Sequence, residues 1–183
     1  MAILPAVSSS ATHGAVVPIA YANSVSGGVT FTNIPQNYQD LMVVMYARDT
    51  TSASNSPIYF QNFNGDNGAS TYSNTFLLGN GSSASSSRTS STTSMTAMQV
   101  PSASATSGIF GTAQIHILNY ANASTYKTVL SRNAYDLNGS GGTILSVGLW
   151  RNTAALTSFS IYPQTAFATG TTVELFGIRT VGQ

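Results

Sequence analysis

The chain is cut into short clusters of apolar, β-branched and aromatic residues: Val29–Phe31, Leu41–Ala47, Ile58–Phe63, Tyr72–Leu78, Ile109–Leu118, Tyr126–Leu130, Ile144–Trp150, Phe159–Tyr162 and Val173–Ile178. Turn formers separate them, as in Asn64-Gly65-Asp66-Asn67-Gly68 and Asn138-Gly139-Ser140-Gly141-Gly142. Clusters of this length, bounded by Gly, Asn and Ser, read as strands. No window carries a sustained helical stripe with caps, and the best helical candidate is one short turn at Asn152–Leu156. A parallel sheet would need helical crossovers of about a dozen residues, and none is found. The pattern therefore predicts an all-β fold: an antiparallel β-sandwich, jelly-roll-like, of eight to ten strands. Alternation supports a half-buried sheet at Phe159, Ile161 and Pro163. Leu41-Met42-Val43-Val44-Met45-Tyr46 is instead apolar on both faces. Such a strand is either central in a double layer or covered by a partner chain.

A length of 183 residues suits one domain. Charged residues make up 6% of it, against about 25% in an ordinary soluble protein. Polarity comes from 27 serines, 23 threonines and 14 asparagines. A net charge of +1 with a single lysine, Lys127, provides no field to gather phosphates, so no nucleic-acid partner is expected. With 10% aromatic residues the chain has the means to form a packed core. The lack of cysteine removes disulfides, thiolate zinc sites and cysteine nucleophiles. No apolar run approaches the length of a membrane span, and no membrane partner is expected.

Two segments stand outside the strand pattern. Gly14 to Ala22 is apolar and ends in Ala20-Tyr21-Ala22, but no positive charge precedes it and Pro5 and Pro18 interrupt it. It is read as part of an extended N-terminal arm over residues 1–22, ahead of a single sandwich domain over 23–183, and not as a cleaved signal. Residues 79–96 are nearly all Ser, Thr, Gly and Ala, with Arg88 the only charge. They are read as a long surface loop, or a polar strand on the rim, in preference to a linker between domains.

Chemistry has few carriers. The titratable set is His13, His116, Asp40, Asp49, Asp66, Asp136, Glu174, Lys127 and five arginines. No nucleophile elbow, phosphate loop or zinc-protease motif occurs, and none of the five acids pairs with another by spacing. No catalytic residue, cofactor or metal ligand is assigned, and an enzyme is not expected. Asn62-Phe63-Asn64-Gly65-Asp66 resembles the start of a calcium loop but lacks its closing glutamate, so a turn built on Asn-Gly is the better reading. His116 alternates with isoleucines and reads as an ordinary strand histidine. Aromatics beside amides provide one weak glycan-binding set, Trp150, Tyr120 and Asn122, although a sole Trp at the end of an apolar strand reads more readily as core. Arg151 is a candidate partner for Asp136 or Glu174.

An uncharged β protein with one lysine is poorly protected against self-association, because sheet edges are usually guarded by charge. Copies of the same chain, or a larger assembly, are expected to cover its edges and apolar faces. Against this background, several segments resemble small structural proteins of tailed bacteriophages, including cyanophages. They are Phe31-Thr32-Asn33-Ile34-Pro35-Gln36-Asn37-Tyr38-Gln39-Asp40-Leu41, Asn62-Phe63-Asn64-Gly65-Asp66, Tyr72-Ser73 and Gly79-Asn80-Gly81-Ser82-Ser83-Ala84. Gly148-Leu149-Trp150-Arg151-Asn152-Thr153-Ala154-Ala155 and Gly170-Thr171-Thr172-Val173-Glu174-Leu175-Phe176-Gly177-Ile178 belong with them. The resemblance implies a β-sandwich, commonly trimeric, serving as a capsid cement or decoration protein or as a tail-fibre module, and it carries over no active-site residue. The expected function is a virion structural protein on the outer surface of the capsid, with its own copies (a homotrimer) and the phage major capsid protein as partners. The alternative is a tail-fibre or receptor-binding protein that recognises host-surface glycans.

Overall fold

The computed structural model describes residues 15–23 and 26–180. Twelve strands occupy them: β1 (Val16–Asn23), β2 (Val29–Phe31), β3 (Asp40–Ala47), β4 (Asn55–Gln61), β5 (Tyr72–Gly79), β6 (Ala84–Thr92), β7 (Ser94–Pro101), β8 (Gly111–Leu118), β9 (Lys127–Asp136), β10 (Gly141–Trp150), β11 (Phe159–Pro163) and β12 (Thr172–Ile178). They form two antiparallel sheets, one of eight strands in the order β1-β12-β3-β8-β9-β10-β5-β6 and one of four in the order β2-β11-β4-β7. The antiparallel β-sandwich expected from the sequence is the observed fold.

Period-two burial explains how the layers close. Leu41, Val43, Met45 and Ala47 of β3 point inward with Ala113, Ile115 and Ile117 of β8, and all are buried. Ile58 and Phe60 of β4 and Phe159 and Ile161 of β11 face them from the small sheet. Phe63 sits at the centre of an aromatic cluster, with ring centroids 5.7 Å from Phe60, 5.8 Å from Tyr72 and 5.5 Å from Trp150. Edge-to-face pairs of this kind add about 0.5–1.5 kcal/mol each beyond area burial. The Asn64-Gly65 pair makes the expected turn, with both residues at positive φ (52° and 80°) and the Asp66 N–H donating to Phe63 O at 2.9 Å. This is the two-residue geometry that favours Asn-Gly.

The small sheet covers only part of the large one, and β7 lies at its edge. The polar inner residues of β9 and β10 take up the backbone groups that β7 leaves open. Asn133 accepts from Gln99 N at 3.0 Å and donates to Gln99 O at 2.8 Å and Thr112 O at 3.2 Å. Ser131 Oγ donates to Ala97 O, and Ser146 Oγ donates to Thr96 O at 3.2 Å. All three side chains are buried. Gly148 of β10 leaves room for Met95 of β7, where a Cβ would collide with the thioether.

Three expectations are corrected. The segment read as an extended arm over 1–22 is, from Val16 onward, an edge strand: β1 pairs antiparallel with β12 from Val16↔Ile178 to Asn23↔Thr172. The sandwich therefore begins before residue 23. Ile19, Ala20 and Ala22 pack against the core, and an edge strand tolerates Pro18, which has no N–H to donate. Residues 1–14 lie outside the described residues. The stretch 79–96 is not a loop, because Ala84–Thr92 forms β6, the polar rim strand of the alternative reading. Asn80 Oδ1 shapes its turn by accepting from Ser82 N and Ser83 N at 3.0 and 2.8 Å. The proposed helical turn at Asn152–Leu156 is irregular chain, with Asn152 Oδ1 accepting from Ala154 N at 2.9 Å.

Replacing Asn133 tests how the layers are joined. Asn133→Ala orphans both backbone groups of Gln99 in the interior and is expected to cost about 2–4 kcal/mol. Urea unfolding should show the lower midpoint with an unchanged slope.

Candidate interaction face

The structure does not bring Trp150, Tyr120 and Asn122 together as a sugar platform. Trp150 and Tyr120 are both 0% exposed, so neither ring offers a face to a ligand. The Trp150 indole N–H donates to Asp66 Oδ2 at 2.8 Å, and the Tyr120 hydroxyl donates to Pro35 O. Asn122 holds the turn before β9 by accepting from Ser124 N and Thr125 N at 2.6 and 3.0 Å. Burial raises the Tyr120 phenol above its ordinary value, and burial pushes the Tyr72 phenol up to about 12. These are core residues with satisfied polar tips.

Several of the scarce charges act inside the molecule. Arg48 points its guanidinium at four carbonyls, Thr106 O and Ile109 O at 2.8 Å each, Ser102 O at 2.7 Å and Ala105 O at 2.9 Å. It thereby folds the 102–109 loop around itself. Asp49 next to it is fully buried and accepts from Ser56 Oγ at 2.8 Å and from the N–H groups of Thr51 and Gln164 at 2.9 Å each. Burial alone would raise its pKa, but the bonds from Ser56, Thr51, Gln164 and Ala166 outweigh it and hold the carboxyl below the ordinary 3.8. Asp66 is likewise lowered, its burial overcome by bonds from Trp150, Gly68, Thr71 and Asn152. Lys127 is fully enclosed and donates to Thr125 O and Thr153 O at 2.7 and 3.0 Å, and burial lowers its pKa. Arg151 pairs with neither Asp136 nor Glu174. It donates to Ser70 O, Tyr72 O and Ser90 O at 2.7, 3.0 and 2.5 Å, which ties the 70–72 segment to β6. His116 Nε2 stands 3.3 Å from Asp40 Oδ2 on the outer face of β3 and β8.

The outer face of the eight-stranded sheet is the surface that stands out. Tyr21 (59% exposed), Leu77 (52%), Leu145 (51%) and Val147 (44%) all lie on it, with Leu118, Leu130 and Tyr46. The register places Leu145 opposite Leu77 and Val147 opposite Leu130, so apolar side chains adjoin across strands. Met42, Val44 and Phe176 fill in between them, half-buried. The surface is not flat. An open hollow of ≈ 670 Å³ lies between the 79–81 and 139–143 turns beside Phe110, which stacks on Tyr46 at 4.7 Å. A second, of ≈ 460 Å³, adjoins it over Val44, Gln114 and Arg132. The small sheet's outer face is different in kind, with Thr30 and Ser160 bonded to each other at 2.9 Å and Tyr59 bonded to Gln164 at 2.9 Å. A monomer rarely leaves a broad apolar face of this sort uncovered.

No protein-family model matches the chain, and comparison with curated proteins and with solved structures finds no match.

Part of this face was legible in the sequence, since Leu41–Tyr46 has apolar residues in both registers. The use of Arg48, Asp49 and Lys127 as internal clamps was not, because each needs at least one backbone partner that folding brings from far along the chain, such as Ser102 O, Gln164 N and Thr153 O.

The buried Asp49 cluster sets an acid limit. Its folded pKa lies below the unfolded one, so its stabilisation is complete above the unfolded value and disappears as pH falls through the folded value. Thermal midpoints should therefore drop on acidification below about pH 4. Asp49→Asn is expected to cost about 2–3 kcal/mol at pH 7 and to flatten that part of the pH profile.

Proposed function

We propose that this protein is a structural component of a tailed-phage particle, a decoration or cement protein on the outside of the head. It would act by packing against copies of itself and against the major capsid protein. The observation that carries this reading is the apolar outer face of the eight-stranded sheet, in a molecule poor in charge that turns Arg48, Asp49 and Lys127 into its own interior. The resemblance of the Phe31–Leu41 and Gly148–Ala155 segments to phage structural proteins indicates the kind of assembly.

The work of such a protein is mechanical. Burial of apolar surface is worth ~25 cal/mol per Å2, so a contact of several hundred Å2 yields several kcal/mol before the costs of association. Repeated over a shell, such contacts oppose outward pressure from packaged DNA. The tail-fibre alternative would have to read glycans with residues other than Trp150 and Tyr120.

Cryo-electron microscopy of intact particles tests the reading, with density for this chain expected on the head exterior. Heads assembled without it should release DNA at a lower temperature. Density confined to the tail, with reproducible glycan binding by the purified protein, would replace this reading with the receptor-binding one.

A further inference from the structure

The same face carries its charges asymmetrically. From one edge inward the strands run β1, β12, β3, β8, β9, β10. The register lines up Tyr21, Glu174, Val44, Gln114, Arg132 and Leu145 in one row across them. The adjoining row holds Pro18, Phe176, Met42, His116, Leu130 and Val147. Glu174 is half-buried and has no hydrogen-bond or ion-pair partner among the described residues. Arg132 stands three strands away, with its guanidinium on Gln114 Oε1.

We propose that two copies of this chain pair face to face through the outer surfaces of their eight-stranded sheets. The two-fold axis would run along the strands, between β3 and β8. Such an axis reverses each row onto itself. Glu174 of one copy then meets Arg132 of the other, Tyr21 meets Leu145, Phe176 meets Leu130 and Pro18 meets Val147, each contact occurring twice by symmetry. The register is selective. An axis through β3 sets Glu174 against Gln114, and one through β8 sets it against Leu145; both leave two carboxylates uncompensated in an apolar interface, which is costly. Stacked twisted sheets favour this aligned arrangement, about 10 Å apart.

The area is sufficient. Six strands at ~4.8 Å and about seven residues at ~3.4 Å span roughly 700 Å2 per copy, close to the ~800 Å2 per partner of a standard stable interface. An isologous pair closes on itself, so the assembly has an even number of copies in place of the trimer that the phage resemblance implies. The pairing does not depend on the particle reading: a chain absent from phage heads but dimeric through this face would refute only the latter.

Sedimentation equilibrium on the full chain at micromolar concentration provides the test, with a dimer expected. Arg132→Glu and Glu174→Arg should each raise the dissociation constant about tenfold or more, and the double variant should restore it to within about threefold. Leu130→Glu, on the same face, should weaken association at least as much. Circular dichroism and thermal unfolding of each variant separate lost pairing from lost fold. A monomer at about 100 µM, a trimer, or a dimer indifferent to both Arg132→Glu and Leu130→Glu would overturn the proposal.

Discussion

The arrangement depends on how one strand's open edge is satisfied. β7 closes the small sheet, and its outward backbone groups would be orphaned in the interior if the large sheet presented only hydrocarbon there. Asn133, Ser131 and Ser146 meet them instead. A buried amide or hydroxyl is tolerable only when bonded, and here each bond joins one layer to the other. Four strands can therefore sit on eight without a second partner for β7. The excess width of the large sheet follows, and with it a broad outer face that no strand of the small sheet can cover.

Charge economy is the second theme. Backbone carbonyls gathered in a loop form a negative pocket, and Arg48 fills one such pocket with four bonds. Asp49 performs the converse task and collects N–H and O–H donors. The two neighbours in sequence hold different segments, Arg48 the 102–109 loop and Asp49 residues 51–56 and 164–166, without forming a salt bridge. With Arg48, Asp49 and Lys127 directed inward, few charges remain for the solvent side of the sheet, chiefly Glu174, Arg132 and the His116–Asp40 pair, which lowers the barrier to self-contact.

Much of the fold could be read from the sequence, because period-two burial and turn residues are local. The Asn64-Gly65 turn and the inward Phe159 and Ile161 of β11 follow from spacing, whereas β3, apolar on both faces, needed the structure to show which set points inward. What escaped depends on pairing at long range. Nothing local in Val16–Asn23 says that it will pair with β12. The serines of 84–92 carry no hydrophobic signal, and only the partner strand β5 makes them a strand. Trp150 already read more readily as core than as a ligand platform, and burial places Tyr120 in the core as well. The polar inner face of β9 runs against the rule that inward means apolar, and Asn133 had no signal pointing to Gln99.

The enclosure of Lys127 has a practical chemical consequence. It is the sole lysine, its ammonium sits between two carbonyls, and solvent does not reach it. Reagents that acylate ε-amines, such as succinimidyl dyes and lysine-directed cross-linkers, therefore meet no lysine target on the native surface, and a lysine adduct would report that the molecule had opened.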